Sequence, residues 1–366
     1  MHTNRRPILA SISQSALQHN LSVAKKHAPN AKVMAVVKAN GYGHGLMNVA
    51  HGLSEADGYA VLGINEAIDL REAGFEHTML LLEGVFSSAE LAIAASFSLD
   101  VVVHCQQQID MLAQATLARP VNVHLKMNSG MNRLGFKPAQ FIQAYQALNA
   151  CKNVKSIVLM THFATADDSR GITTPLDVFQ KTISGLSPDN ATSGNTISLA
   201  NSATILSHPE AHADWVRPGI MLYGASPIAS IAAAEFDLQP VMTLSSEIIA
   251  VQSLQVGDSA GYGHLFTATK PTRLGIVACG YADGYPRHAL NNTPIAVAGK
   301  LTQTLGRVSM DMLFVDLTDL PEANIGAPVE LWGKQVPVDV VATAAGTIGY
   351  ELLCAVAARV PTKVVD

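Results

Sequence analysis

The stretch Lys32-Val-Met-Ala-Val-Val-Lys38-Ala-Asn-Gly-Tyr-Gly-His-Gly45 decides how this chain is read. Its first half is a short apolar run, as expected of a parallel strand buried on both faces. The run ends on Lys38. Gly41, Gly43 and Gly45 follow, and they allow tight turns and close approach of the backbone to a ligand. They do not form a dinucleotide fingerprint, because the third required glycine position is Leu46. A lysine closing a buried strand has three readings: an edge residue snorkelling to water, a point charge for a phosphate, or an amine whose pKa falls in apolar surroundings. The third is the usual former of a Schiff base.

Runs of the same texture recur outward from this one, at Tyr59–Gly63, Met79–Leu82, Asp100–His104, Val121–Met127, Ser156–Thr161, Thr196–Ala200 and Val216–Tyr223. Amphipathic stretches such as Ser87–Phe97 and Pro138–Ala150 lie between them, and Pro138 suits a helix start. About eight strand–helix units in some 200 residues is the arithmetic of a (β/α)8 barrel. A doubly wound open sheet shares the local pattern and stays open as the alternative. The active site of a barrel lies at the C-terminal ends of its strands. Polar groups gather there: Lys126 and Arg133 after the fifth run, Thr161-His162 after the sixth, Asn201-Ser202 after the seventh and Arg217 in the eighth. One histidine at a strand end is usually structural, but several polar strand ends in one expected barrel argue for function.

After about Phe236 the texture changes. Val241–Ser253, Leu274–Gly280, Ile295–Ala298, Arg307–Leu317 and Pro328–Gly333 are strand-like and are separated by Gly, Asp and Pro turns, as in an antiparallel domain. A helix at Val338–Thr347, or continuing through Ala358, and a strand at Thr362–Val365 close the chain. The expected fold class is therefore α/β: a (β/α)8 barrel over residues 1–236, then a mainly antiparallel β domain over residues 237–366.

The bulk properties exclude several classes. With 366 residues, 48% hydrophobic and 14% charged, the chain carries ample material for packed cores and is far from a disordered composition. A net charge of −5 without a dense Lys/Arg run argues against a nucleic-acid surface. Arg5 and Arg6 have no long apolar stretch behind them, so neither a signal peptide nor a membrane span is expected. The cysteines Cys105, Cys151, Cys279 and Cys354 lie far apart with no C-x-x-C pair. They suit free thiols in the cytoplasm better than a disulfide frame or a metal site.

Five segments in register resemble alanine racemase. They are the lysine segment, Met131-Asn-Arg133-Leu-Gly-Phe136, Arg217-Pro-Gly-Ile220, Gly280-Tyr-Ala-Asp-Gly-Tyr285 and Leu305-Gly-Arg-Val-Ser-Met310-Asp-Met312. The resemblance covers nearly the whole chain. It implies a barrel that binds pyridoxal 5'-phosphate and a C-terminal β domain, paired head to tail in a homodimer with shared active sites. It also implies that Lys38 bonds to the cofactor and that Tyr262, in Ala260-Gly-Tyr-Gly-His264, is the opposing base supplied by the partner subunit. Arg133 then binds the substrate carboxylate, Met310 contacts substrate, and Lys126 is the lysine that the family often carbamylates. Tyr42, Ser202, Gly219, Ile220 and Tyr350 match the groups around the cofactor phosphate. Arg217 matches the partner of the pyridine nitrogen, with His162 behind it.

The activity implied is interconversion of L- and D-alanine by two bases, Lys38 serving D-alanine and Tyr262 serving L-alanine. Such an isomerase supplies D-alanine for peptidoglycan or serves alanine catabolism. No metal, nucleic acid or membrane is implied. Three alternatives stand beside this reading: a racemase for serine or broader substrates on the same scaffold, a Schiff-base aldolase barrel, and a non-catalytic pyridoxal-phosphate-binding protein.

Overall fold

The computed structural model describes residues 6–186 and 195–366; Arg5 lies outside them. Strand β1 (Ile8–Ser13) runs into the helix Gln14–His27, whose first turn is capped by Ser13 Oγ accepting from the Ala16 N–H at 3.0 Å. Eight parallel strands then follow: β2 (Lys32–Val36), β3 (Gly58–Val61), β4 (Thr78–Leu81), β5 (Asp100–Val103), β6 (Val121–Lys126), β7 (Val154–Met160), β8 (Thr196–Ser198) and β9 (Trp215–Val216). They form a closed barrel in sequence order. Closure is made by β2 against β9, with Lys32 opposite Trp215 and Val33 opposite Val216. The open-sheet alternative is thereby excluded. Every residue of β3 and β5 is buried, which is why these strands read as continuous apolar runs rather than alternating ones.

The second sheet contains β10 (Met242–Leu254), β13 (Thr272–Val277), β14 (Pro294–Val297), β15 (Lys300–Leu305), β16 (Leu313–Asp316), β17 (Pro328–Trp332) and β18 (Thr362–Val365). A small hairpin of β11 (Ser259–Ala260) and β12 (Phe266–Thr267) stands apart. The strand order is β13-β16-β15-β14-β17-β10-β1-β18, and β13 also pairs with β10, so six strands close into a ring. Strand β10 manages both partners by length and by register shifts at Leu244/Ser245 and Ile248/Ala250. Strand β1, which sequence reading did not anticipate, pairs antiparallel with β10 and parallel with β18. Its burial alternates along its length, as a strand covered on one face should.

Three expected elements differ in extent. The run Val216–Tyr223 is strand only to Val216, because Pro218 has no N–H for a ladder and Gly219 leaves the extended region at φ −118°, ψ −96°. Residues Ile220–Tyr223 form a 3-10 turn instead. In Arg307–Leu317 only Leu313–Asp316 is strand, since the Ser309 N–H bonds back to Met312 O at 2.9 Å and makes a turn. The closing helix is two helices, Val338–Ala344 and Gly349–Cys354, interrupted at Gly346 with φ +69°.

Candidate active site

Strand β2 delivers Lys38 to the C-terminal rim of the barrel. Beyond it the backbone takes an unusual course: Ala39, Asn40, Gly41 and Tyr42 have φ of 55°, 54°, 61° and 51°. A left-handed turn costs a non-glycine residue roughly 1–2 kcal/mol, so something must hold it. Asn40 contributes, its side-chain oxygen accepting from the Leu46 N–H at 2.8 Å and its carbonyl from Gly45 at 2.9 Å. His44 contributes more. It is wholly buried, and its Nδ1 contacts the Gly41 carbonyl at 3.0 Å and the Tyr42 carbonyl at 2.9 Å. Two carbonyls can only accept, so Nδ1 must carry the proton. Burial pulls the His44 pKa to about 4 against those two bonds, and the ring stays neutral. The turn leaves the Tyr42 ring stacked on Tyr223 at 4.5 Å and tilted against Tyr350 at 6.1 Å.

The neighbouring strand ends add positive charge. Arg217 is buried and donates to Ser198 Oγ at 2.6 Å and to the carbonyls of Thr161 and Leu199 at 2.8 and 3.2 Å. Burial lowers its pKa to about 10, which leaves it charged at neutral pH. His162 Nδ1 lies 3.5 Å from Arg217 Nη2. Burial, then Arg217, Lys126, Arg133 and Lys38, hold His162 well below the ordinary range, so it is neutral. Lys126 is brought down to about 8, first by burial and then by Arg217, Arg133 and Lys38. Nearby, Ser202 Oγ accepts from the Gly219 N–H at 2.8 Å, which leaves the hydroxyl proton free to point at an anion. A β-carbon on Gly219 would stand 2.7 Å from Tyr42 Oη, so the glycine is what lets these two groups meet.

These side chains surround one cavity of about 530 Å³. Ten of the twelve residues expected from the sequence line it: Lys38, Tyr42, Lys126, Arg133, His162, Ser202, Arg217, Gly219, Ile220 and Tyr350. Tyr262 and Met310 do not. Tyr262 sits on the short turn Tyr262–His264 and is 72% exposed; Met310 is 53% exposed at a turn before β16. Sequence reading gave no role to Glu83, Asp167 or Cys354, which also line the cavity. Glu83 could have been found by the rule that found Lys38, since it is a charged residue just past the end of a buried strand. His44 carried no signal beyond its place among glycines.

The chain's first part, residues 12–227, matches the sequence profile described as alanine racemase, N-terminal domain, and residues 241–364 match that of the C-terminal domain. It is 51% identical over 359 residues to an alanine racemase of Burkholderia mallei, covering 98% of this chain and 99% of the relative. It is 52% identical to one of Erwinia tasmaniensis over 361 residues, covering 98% and 99%. Among solved structures, the biosynthetic alanine racemase of Pseudomonas aeruginosa superposes with a TM-score of 0.93 at 46% identity, covering 99% of this chain and 100% of that one. The enzyme of Acinetobacter baumannii gives 0.92 at 41%, covering 98% and 100%. Barrel, β domain and cavity all accompany this similarity, and the chain belongs to the alanine racemase family.

Proposed function

We propose that this chain interconverts L- and D-alanine using pyridoxal phosphate, in a homodimer whose sites each combine Lys38 of one protomer with Tyr262 of the partner subunit. The observation that carries the proposal is that Lys38, Arg133, Arg217, Ser202 and Gly219 line one and the same cavity. In this reading residues 1–236 bind the cofactor and residues 237–366 serve the partner's site, with β1 completing the second sheet.

The residues present fit the cofactor. A phosphate needs donors and positive surroundings, and the Ser202 hydroxyl, the Ile220 N–H and the phenols of Tyr42 and Tyr350 border the same cavity as four cationic side chains. Lys38 is the amine that would bond to it. When bound, the cofactor acidifies the α-carbon of an attached amino acid by drawing its electrons into a conjugated ring.

The chain's own groups do the rest. Arg133 offers a bidentate site for the substrate carboxylate. Arg217 can only donate, and its Nη1 and Nη2 already bond to protein oxygens. It would therefore meet the cofactor only as a donor and could not take a proton from it. Racemisation removes the α-proton from one face and returns a proton to the other. Two bases on opposite faces achieve this without either crossing over: Lys38 on one face, Tyr262 of the partner subunit on the other. The exposure of Tyr262 in the single chain supports that assignment, because a phenol meant for its own barrel would be covered by it. Lys126, with its pKa lowered to about 8, has an appreciable neutral fraction near pH 8 that can add carbon dioxide with loss of a proton, and the resulting carbamate would stand as an anion beside Arg133. Free cysteines fit a cytoplasmic setting.

The test is incubation of the purified protein and cofactor with L-alanine in deuterated water. D-alanine carrying α-deuterium is expected; its absence from protein that has bound cofactor would falsify the proposal.

A further inference from the structure

The fold brings together two sequence motifs, Gly280–Tyr285 and the Leu305–Met312 segment that carries Met310. The Tyr281 N–H donates to Ser309 O and the Ala282 N–H to Met310 O, both at 3.0 Å. A β-carbon on Gly280 would lie 2.4 Å from each of those carbonyl oxygens, so only glycine permits this contact. Behind it lies Asp283, fully buried. Its Oδ1 accepts from Arg6 Nη1 at 2.6 Å and Arg359 Nε at 2.7 Å, and its Oδ2 accepts from the Gly280 N–H at 2.9 Å.

Both arginines continue to the second motif. Arg359 Nη2 reaches Asp311 Oδ1 at 2.6 Å, and Arg6 Nη2 reaches Asp311 O at 2.5 Å. Arg6 leads into β1 and Arg359 into β18, which are adjacent parallel strands, so the two cations enter from one anchored edge of the sheet. Two carboxylates balance two guanidiniums. The turn at Ser309–Met312 is thus held from behind by charge-assisted bonds, while Met310 at its apex stays exposed.

We propose that Asp283, Arg6 and Arg359 are positioning residues that fix the Ser309–Met312 turn, so that Met310, a substrate contact by the resemblance, meets in the partner's site the substrate that Arg133 there holds by its carboxylate. This rests on the reading of Met310 and Arg133 above. A displacement of about 1 Å in a substrate-positioning group lowers efficiency by up to about a hundredfold; loss of one of several tethers should have a smaller effect.

The test compares Arg359→Gln, Arg359→Lys and Asp311→Asn holoenzymes with wild type. Arg359→Gln should raise KM for alanine about tenfold with kcat within about threefold, cofactor affinity unchanged, and Arg359→Lys should recover part of the loss. Should Arg359→Gln fail to fold, Asp311→Asn, at the exposed end of the bridge, should raise KM about threefold. Unchanged KM in folded variants overturns the proposal, as does a parallel fall in kcat, cofactor affinity and melting temperature, the mark of a purely structural role. Arg133→Lys separates the two readings. If it raises KM while the Arg359 variants do not, the clamp alone fails; if it too leaves KM unchanged, the carboxylate site fails and the clamp with it.

Discussion

Replacing Lys126 with methionine keeps the side chain's length, removes its charge, and should stabilise the folded protein in a pH-dependent way. Lys126 is 7% exposed, and burial together with Arg217, Arg133 and Lys38 brings its pKa from the ordinary 10.5 to about 8. The unfolded chain keeps the higher value. Between these two pH values the unfolded state holds the extra proton, so stability of the wild type climbs with pH. The penalty is absent above about pH 10.5 and complete below about pH 8. From 10.5 to about 8 is about 2.5 pH units, and at about 1.4 kcal/mol per unit this is about 3.5 kcal/mol. Water in the open cavity screens part of it, leaving about 1–2 kcal/mol. The assay is urea unfolding of cofactor-free wild type and Lys126→Met across this range, in buffers purged of carbon dioxide so that no carbamate forms. Groups elsewhere cancel in the difference. The variant should be the more stable at neutral pH, with its advantage gone at the alkaline end. A difference that stays constant with pH refutes the argument that burial, with crowded cations beside it, strains this lysine.

Three further outcomes are expected. Gly219→Ala places a methyl group 2.7 Å from Tyr42 Oη, and reaching ordinary contact at 3.4 Å moves the phenol by about 0.7 Å. Cofactor affinity should fall about tenfold in a fluorescence titration while kcat at saturating cofactor changes little; equal affinity would reject Tyr42 as a phosphate ligand. His44→Leu leaves two carbonyls of the left-handed turn without their donor and should cost about 2 kcal/mol by thermal unfolding, with slower attachment of cofactor at Lys38. Lys38→Ala and Tyr262→Phe proteins should each be nearly inactive, yet regain about a quarter of wild-type activity when refolded together, because half the random dimers carry one intact site. No recovery in a mixture shown to contain mixed dimers would place Tyr262 outside the partner's site.

The eight barrel strands were legible in the sequence because a strand covered on both faces must be apolar throughout, and such runs stand out against amphipathic helices. Lys38, Lys126, Arg133, His162, Ser202 and Arg217 were legible as candidates because they lie in or just after those runs. What sequence could not say is that they share one cavity: that follows from the pairing of β2 with β9, a contact between residues far apart in the chain. Strand β15 was missed because its burial is mixed and its apolar content thin. Strand β1 was missed because its partners, β10 and β18, come only at the other end of the chain. The left-handed turn at Ala39 and Asn40 defies local preference and exists because buried His44 and the Asn40 side chain hold it. Local composition, then, determined which residues could be buried and which polar groups would sit at strand ends. Tertiary closure decided what is buried and which charges crowd one another, and hence the pKa of Lys126, lowered by burial first and then by its cationic neighbours, and the four-charge knot behind Met310, since desolvation and Coulomb forces depend on position in space and not along the chain.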